Sequence, residues 1–171
     1  MENSINVGVS ACLLGEKVRY DGGHKHDRYI TDTLGKFFTF VPVCPEVESG
    51  MPVPREAMRL EGDSFAPRLM TRISRIDKTE QMLTFCDRKL AELESVNLCG
   101  FIFKKGSPSS GLYDVSLFSA DGTLAGTTSG LFAAAFVRRF PEIPVEEDER
   151  LSDPALAELF IEKVVRFSKG K

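Results

Sequence analysis

Val7-Gly8-Val9-Ser10-Ala11-Cys12 is a small-residue, largely apolar run that ends on a thiol and opens into a stretch holding Gly15, Gly22 and Gly23. Val7 to Ala11 reads as a short buried strand, and the glycine-rich segment from Cys12 to Gly23 reads as the loop that follows it. A polar stretch from Asp27 to Lys36 is expected to form a helix. Phe38-Thr39-Phe40-Val41-Pro42-Val43 then reads as a second strand, with Pro42 placed where no ladder donor is needed. This strand also ends on a thiol, in Cys44-Pro45-Glu46.

Residues 45–67 carry Pro45, Gly50, Pro52, Pro54, Gly62 and Pro67, a composition that suits an irregular segment. The clearest helix comes next. Asp77 is its expected cap and Glu80 completes a capping-box pattern, with Met82, Leu83, Cys86, Leu90 and Leu93 at helical spacing as far as about Asn97. A third strand, Cys99 to Lys104, feeds the loop Lys105 to Gly111, and a fourth, Val115 to Ser119, ends at the turn pair Asp121-Gly122. Two more helices are expected: Ser129 to Phe140, stopped by Pro141, and Asp153 to Phe167, with Asp153 at the N-cap and Pro154 in the first turn. Val145 to Arg150 reads as an acidic linker. No internal repeat or low-complexity tract interrupts the chain.

Strands alternating with helices imply an α/β fold: a single domain over residues 1–171, with a mostly parallel, Rossmann-like sheet covered by helices on both faces. In such folds ligands collect at the carboxyl ends of the strands. That rule would bring Cys12, Cys44 and the Ser107 to Ser110 loop together, although they lie far apart in sequence.

A length of 171 residues, 42% of them hydrophobic, suits one domain with a real core. The net charge is −3, with both signs mixed along the chain, which argues against a nucleic acid polymer or an anionic membrane as partner. Met1 to Asn6 has neither the basic nor the apolar part of a signal peptide, so a cytoplasmic location is expected. In that reducing compartment the four cysteines are expected as thiols or metal ligands.

Free cysteine is commonly a small core residue, and Cys86, on a helix stripe, and Cys99, at a strand start, are read that way. Cys12 and Cys44 differ because each stands where a strand stops and a loop begins. Glu46 shares the Cys44 loop, where a carboxylate can move protons. Glu48 is expected to be an ordinary solvated carboxylate. Gly106-Ser107-Pro108-Ser109-Ser110-Gly111 is compatible with a plain turn, but it also offers hydroxyls and main-chain donors beside Lys104 and Lys105 for an anion or a polar substrate. His24 and His26 read as part of a solvated loop, with a metal site as the less favoured reading. Arg68, Arg72 and Arg75, at near-helical spacing, read as a solvated face, with neutralisation of an anion as the less favoured reading.

Four motifs, in order and spacing over nearly the whole chain, resemble the 2-thiouracil desulfurase family. They are Ser10-Ala11-Cys12-Leu13-Leu14-Gly15; Val18-Arg19-Tyr20-Asp21-Gly22; Pro42-Val43-Cys44-Pro45-Glu46-Val47 with Pro52-Val53-Pro54-Arg55-Glu56; and Ser107-Pro108-Ser109. The resemblance implies a [4Fe-4S] cluster held by three cysteines, with one iron open to take sulfur from a thioamide such as 2-thiouracil. By the same resemblance Cys12 and Cys44 are two of the metal ligands and Glu46 and Ser107 are catalytic; Ser10, Ser109 and Gly111 are expected to bind substrate. The third cysteine would follow Ser-Pro-Ser, and that place holds Ser110, whose oxygen is a harder ligand than a thiolate. Cys99 is expected at the far end of the same strand, away from that position. Two other readings are carried: a cluster-free binding module for a small nucleobase-like or anionic molecule, and a zinc site using Cys12, Cys44 and a histidine from the His24 region.

Overall fold

A computed structural model describes residues 4–171. The reading of the N-terminus as lacking a signal peptide rests in part on Met1 to Asn3, which lie outside the described residues. Among the described residues, eight strands and four α-helices follow one another as β1 (Asn6–Ser10), β2 (Thr39–Val43), α1 (Pro45–Glu48), β3 (Met58–Gly62), β4 (Pro67–Thr71), α2 (Thr79–Leu93), β5 (Leu98–Phe103), β6 (Val115–Phe118), β7 (Leu124–Thr128), α3 (Leu131–Arg139), β8 (Val145–Glu147) and α4 (Pro154–Lys169).

The strands form two sheets where the sequence reading expects one. The first has the order β2-β1-β5-β8 and is parallel throughout; the second, β4-β3-β6-β7, joins β3 to β6 in parallel and its other pairs antiparallel. The fold is therefore mixed α/β. Pro42 is tolerated because β2 is an edge strand.

All six residues of β5 are buried, as a central parallel strand requires. Its side chains divide between two cores. Ile102 and Cys99 pack with Val7, Val9 and the α4 residues Phe160 and Val164. Phe101 and Phe103 face the other way, onto α2, α3 and the apolar face of the second sheet through Leu60, Leu69 and Leu117. Phe101 and Phe103 stack at 4.3 Å between ring centres, with Phe132 and Phe136 of α3 against them. Helices thus cover both faces of the parallel sheet. Phe101 lies directly over Gly8, where an added Cβ would fall 2.3 Å from its ring.

Several local expectations are corrected. The segment read as irregular, 45–67, contains α1 and β3 and reaches the start of β4; its prolines sit at N1 of α1, in the connecting turn and at the first residue of β4, where a missing donor does no harm. Residues 29–36 form a π-turn followed by a 3₁₀ turn rather than a regular helix. Helix α2 begins at Thr79 and ends at Leu93. Asp77 still accepts from the Thr79 N–H at 2.9 Å, but Glu80 turns to Arg68 and forms no capping box. The acidic "linker" contains β8, whose Glu146 and Glu147 are buried; Glu147 accepts from the Leu112 N–H at 2.9 Å and Glu146 from Arg150 at 2.8 Å. β7 lies beyond the turn pair at Asp121-Gly122, in residues that carry no strand-like alternation. Asp153 caps α4 as expected, accepting from the Ala155 N–H at 2.9 Å. No helix among the described residues is long and apolar enough to cross a membrane.

Candidate active site

In the parallel sheet Ser10 stands opposite Val43, and Val9 opposite Ile102, so β1, β2 and β5 end at one level. What each chain does next decides the site. After Ser10 it winds into a 3₁₀ turn, Ala11–Leu14, closed by Gly15 at φ +91, which places Cys12 at the sheet edge. After Val43 it starts α1, with Cys44 at the N-cap, Pro45 in the first turn and Glu46 beside it. Glu48, expected as a free carboxylate, accepts from the Cys44 N–H at 2.8 Å and pairs with Lys89 at 2.8 Å, so it anchors the turn. After Phe103 the Lys104 N–H donates to the Ser10 hydroxyl at 2.9 Å, tying the third loop to the end of β1.

Residues 107–111 form a tight turn against α3. The Ser107 carbonyl accepts from the Gly111 N–H at 2.8 Å, and the Ser109 carbonyl accepts from Phe132 and Ala133 at 2.8 and 3.0 Å, satisfying donors at the start of that helix. Gly130 is required here, because a Cβ on it would fall 2.5 Å from the Ser109 main chain. Gly111 is equally confined, with Val115 at 2.3 Å from a built Cβ.

These loops enclose a cavity of about 340 Å³, lined by Ser10, Cys12, Cys44, Glu46, Ser107 and Ser110 among others. Ser109 and Gly111 do not line it: Ser109 is fully buried beneath the surface, and Gly111 packs the turn. Ser109 reaches the site indirectly, its hydroxyl 2.5 Å from Glu46 Oε1, while Glu46 Oε2 lies 3.8 Å from Cys44 Sγ. His24 and His26 are exposed and outside the lining, bonded to the 24–31 loop itself. Among the described residues no group of three or more His, Cys, Asp or Glu side chains is placed to hold a metal ion, so the two-cysteine, one-histidine zinc arrangement is not formed. Cys86 and Cys99 are core residues, and Cys99 lines a different depression near Phe37 and Lys169.

The cavity walls are cationic. Arg19, Lys25, Arg55, Arg72, Lys104 and Lys105 line it against the carboxylates of Glu46 and Glu56. Lys105 pairs with Glu149 at 2.7 Å and Lys104 lies 3.4 Å from Asp148, whereas Arg19, Lys25 and Arg72 have no carboxylate partner among the described residues. Arg55 stitches the walls together: its side chain donates to the Val18 carbonyl at 2.9 Å and its own N–H to the Tyr20 carbonyl at 2.8 Å, and its buried Nε has no partner among the described residues. The positive wall was not legible from net charge; its sequence traces are Lys104 and Lys105 beside the serine loop and an arginine in each of Val18-Arg19-Tyr20 and Val53-Pro54-Arg55. Arg68 and Arg75 stand apart, paired with Asp77 and Glu61, because residues 67–71 are a strand and not a helix.

Burial pushes the Cys44 thiol up to about 12, helped by the nearby charge of Glu46 and opposed by Arg55. Burial raises Cys12 too, opposed by Arg19 and Lys104. Both thiols are thus protonated at neutral pH, and a bound metal would displace those protons. As a donor set the lining offers two soft sulfurs, with the hydroxyl of Ser110 as the third donor. Two thiolates match the donor type an iron–sulfur cluster takes, and the cationic wall suits the negative charge of such a group; the Ser110 hydroxyl beside them is a harder donor.

The sequence pattern of the 2-thiouracil desulfurase family matches residues 7–148. Among solved structures, a [4Fe-4S]-dependent thiouracil desulfidase, TudS, is similar with a TM-score of 0.70 and 29% identity, the match covering 91% of this chain and 99% of that one. No curated protein matches the chain. These likenesses favour desulfurisation over a cluster-free binding module.

Proposed function

The chain belongs to the 2-thiouracil desulfurase family, and from that premise we propose that residues 1–171 act as one enzyme domain that removes sulfur from a small thiocarbonyl compound such as 2-thiouracil. The observation that carries the reading is the convergence of Cys12, Cys44, Glu46, Ser107 and Ser110, from three separate loops, on one cavity of about 340 Å³. That volume is at the small end of ligand sites and suits a single heterocycle.

The net reaction exchanges C=S for C=O: water supplies the oxygen, and sulfur leaves as sulfide with the two protons. No external oxidant or reductant is consumed. Cys12 and Cys44 would hold a [4Fe-4S] cluster, with Ser110 in the third position. When bound, that group supplies a soft Lewis acid that polarises the thiocarbonyl and accepts sulfur.

The chain's own residues do the rest. Glu46, buried beside Cys44 with a hydrogen bond already fixing one oxygen, is placed to take a proton from water and pass it on. Ser107 faces the cavity and is placed to contact the substrate. Ser10 holds the β5 loop through its hydroxyl and contributes to the same wall. The cationic residues at the wall stabilise negative charge as it develops on sulfur. Four unpaired thiols suit a reducing, cytoplasmic setting.

The proposal is tested by purifying and reconstituting the protein without air and measuring iron and the electronic spectrum. Iron and a charge-transfer band that are both lost in Cys12→Ala and in Cys44→Ala support it. Iron retained in both variants contradicts it.

A further inference from the structure

We propose that Ser109 is a positioning residue for the reaction, joining the Glu46 carboxylate and the Ser107 hydroxyl into one hydrogen-bonded unit; the inference rests on the desulfurase reading of the cavity. Ser109 is fully buried and does not line the cavity, so it is out of reach of substrate. Its hydroxyl nonetheless meets three side chains that do line it: Glu46 Oε1 at 2.5 Å, Ser107 Oγ at 3.1 Å and Ser110 Oγ at 3.3 Å.

The directions of these bonds follow from what each group can offer. The Ser109 hydroxyl donates to Glu46 Oε1 and keeps its lone pairs for its neighbours. Ser107 Oγ already accepts from the main-chain N–H groups of Ser109 and Ser110, at 3.3 and 3.1 Å. Both of its lone pairs are used, and its proton is left to turn toward Ser109. The chain of donors therefore runs from Ser107 through Ser109 to Glu46.

This hub is rigid, because the Ser109 carbonyl is held by two N–H groups at the start of α3. Tying one Glu46 oxygen to it stops the carboxylate rotating and leaves Oε2 toward Cys44. The hydrogen bond from Ser109 joins the buried Glu46 side chain to the turn, and losing it frees both ends of the unit.

The test is a double-mutant cycle in the anaerobically prepared holoenzyme, using Ser109→Ala, Glu46→Gln and the pair, with sulfide release from 2-thiouracil as one readout. Ser109→Ala is expected to lower kcat at least tenfold with KM within about twofold, and to add no further loss in the Glu46→Gln background. A second readout does not depend on turnover. The infrared band of Glu46, assigned by its disappearance in Glu46→Gln, is expected to shift in Ser109→Ala. Ser109→Cys, of similar size with a weak donor, is expected to behave as the alanine variant does and stands in for it if alanine does not fold. An unchanged kcat, losses that multiply in the pair, or an unshifted Glu46 band overturns the proposal. A wild type that releases no sulfide overturns the reaction, and the infrared result then decides alone whether Ser109 fixes Glu46.

Discussion

The hydroxyl of Ser10, at the end of β1, accepts the main-chain N–H of Lys104 at 2.9 Å, so the loop that follows β5 is fastened to the strand that leads to Cys12. One partly buried hydrogen bond thus ties two walls of the cavity together. Ser10→Ala leaves the Lys104 N–H without its partner, and the expected cost is about 1 kcal/mol, seen as a melting point lower by a few degrees. The expected functional signature is a higher KM, because the wall that carries Lys104 and Ser107 loosens. A variant with unchanged melting point and KM would show that the bond is dispensable.

Gly130 holds the third loop in place by leaving room for it. In Gly130→Ala the new methyl group would meet the Ser109 carbonyl carbon at 2.5 Å and the Ser110 nitrogen at 2.8 Å, both of them main-chain atoms that cannot swing aside. Overpacking of this kind costs about 1–3 kcal/mol. Activity is expected to fall more than stability, since the displaced segment carries Ser107 and Ser110. Chemical denaturation together with an activity assay separates the two effects.

Outside the cavity lining, Glu61 provides a pH test of the second sheet. It is buried, with Arg59 at 2.7 Å and Arg75 at 2.5 and 2.6 Å, and the Arg75 hydrogen bond is the main cause that lowers its pKa from 4.5 to about 2. A depressed folded pKa means that the unfolded chain binds the proton more readily. The stabilisation, about 2–3 kcal/mol, is therefore complete above about pH 5 and is lost as the pH falls through 4 toward 2. Unfolding followed between pH 2 and 7 should show this slope in the wild type and a shallower one in Glu61→Gln. Equal slopes would exclude Glu61 as the source.

Much of the architecture follows from the sequence by elementary rules. Val7 to Ala11, Phe38 to Val43 and Cys99 to Lys104 read as strands because they are short, largely apolar runs bounded by turn residues, and each ends on a loop that lines the cavity. The convergence of Cys12, Cys44 and the Ser107 loop follows from parallel strands ending at one level. The second sheet was hidden for physical reasons. Its β3 and β4 carry Arg59, Glu61 and Arg68, charges that pair with one another or with Asp77 and so disguise the alternation. β7 is almost wholly exposed, and β8 is short and acidic, with carboxylates buried only because the Leu112 N–H and Arg150 meet them. The role of Ser109 was equally hidden, since a turn composition of Ser, Pro and Gly does not reveal which hydroxyl points inward.

Ser110 is where the donor set is weakest. Replacing its oxygen with sulfur adds a third soft ligand to the wall that already holds Cys12 and Cys44. Ser110→Cys is expected to retain iron longer than the wild type against a chelator, without loss of fold, since Ser and Cys differ little in size. Equal rates of iron loss would remove Ser110 from the ligand set.

The central claim is that this cavity exchanges sulfur for oxygen on a small thiocarbonyl. The most direct measurement is the product balance when the anaerobically reconstituted protein meets 2-thiouracil: uracil and sulfide counted together, in the wild type and in Cys44→Ala. Uracil and sulfide formed in equal amounts by the wild type, and neither by the variant, is the result predicted. Unchanged 2-thiouracil with the iron-loaded wild type, or equal turnover in the variant, would contradict the account.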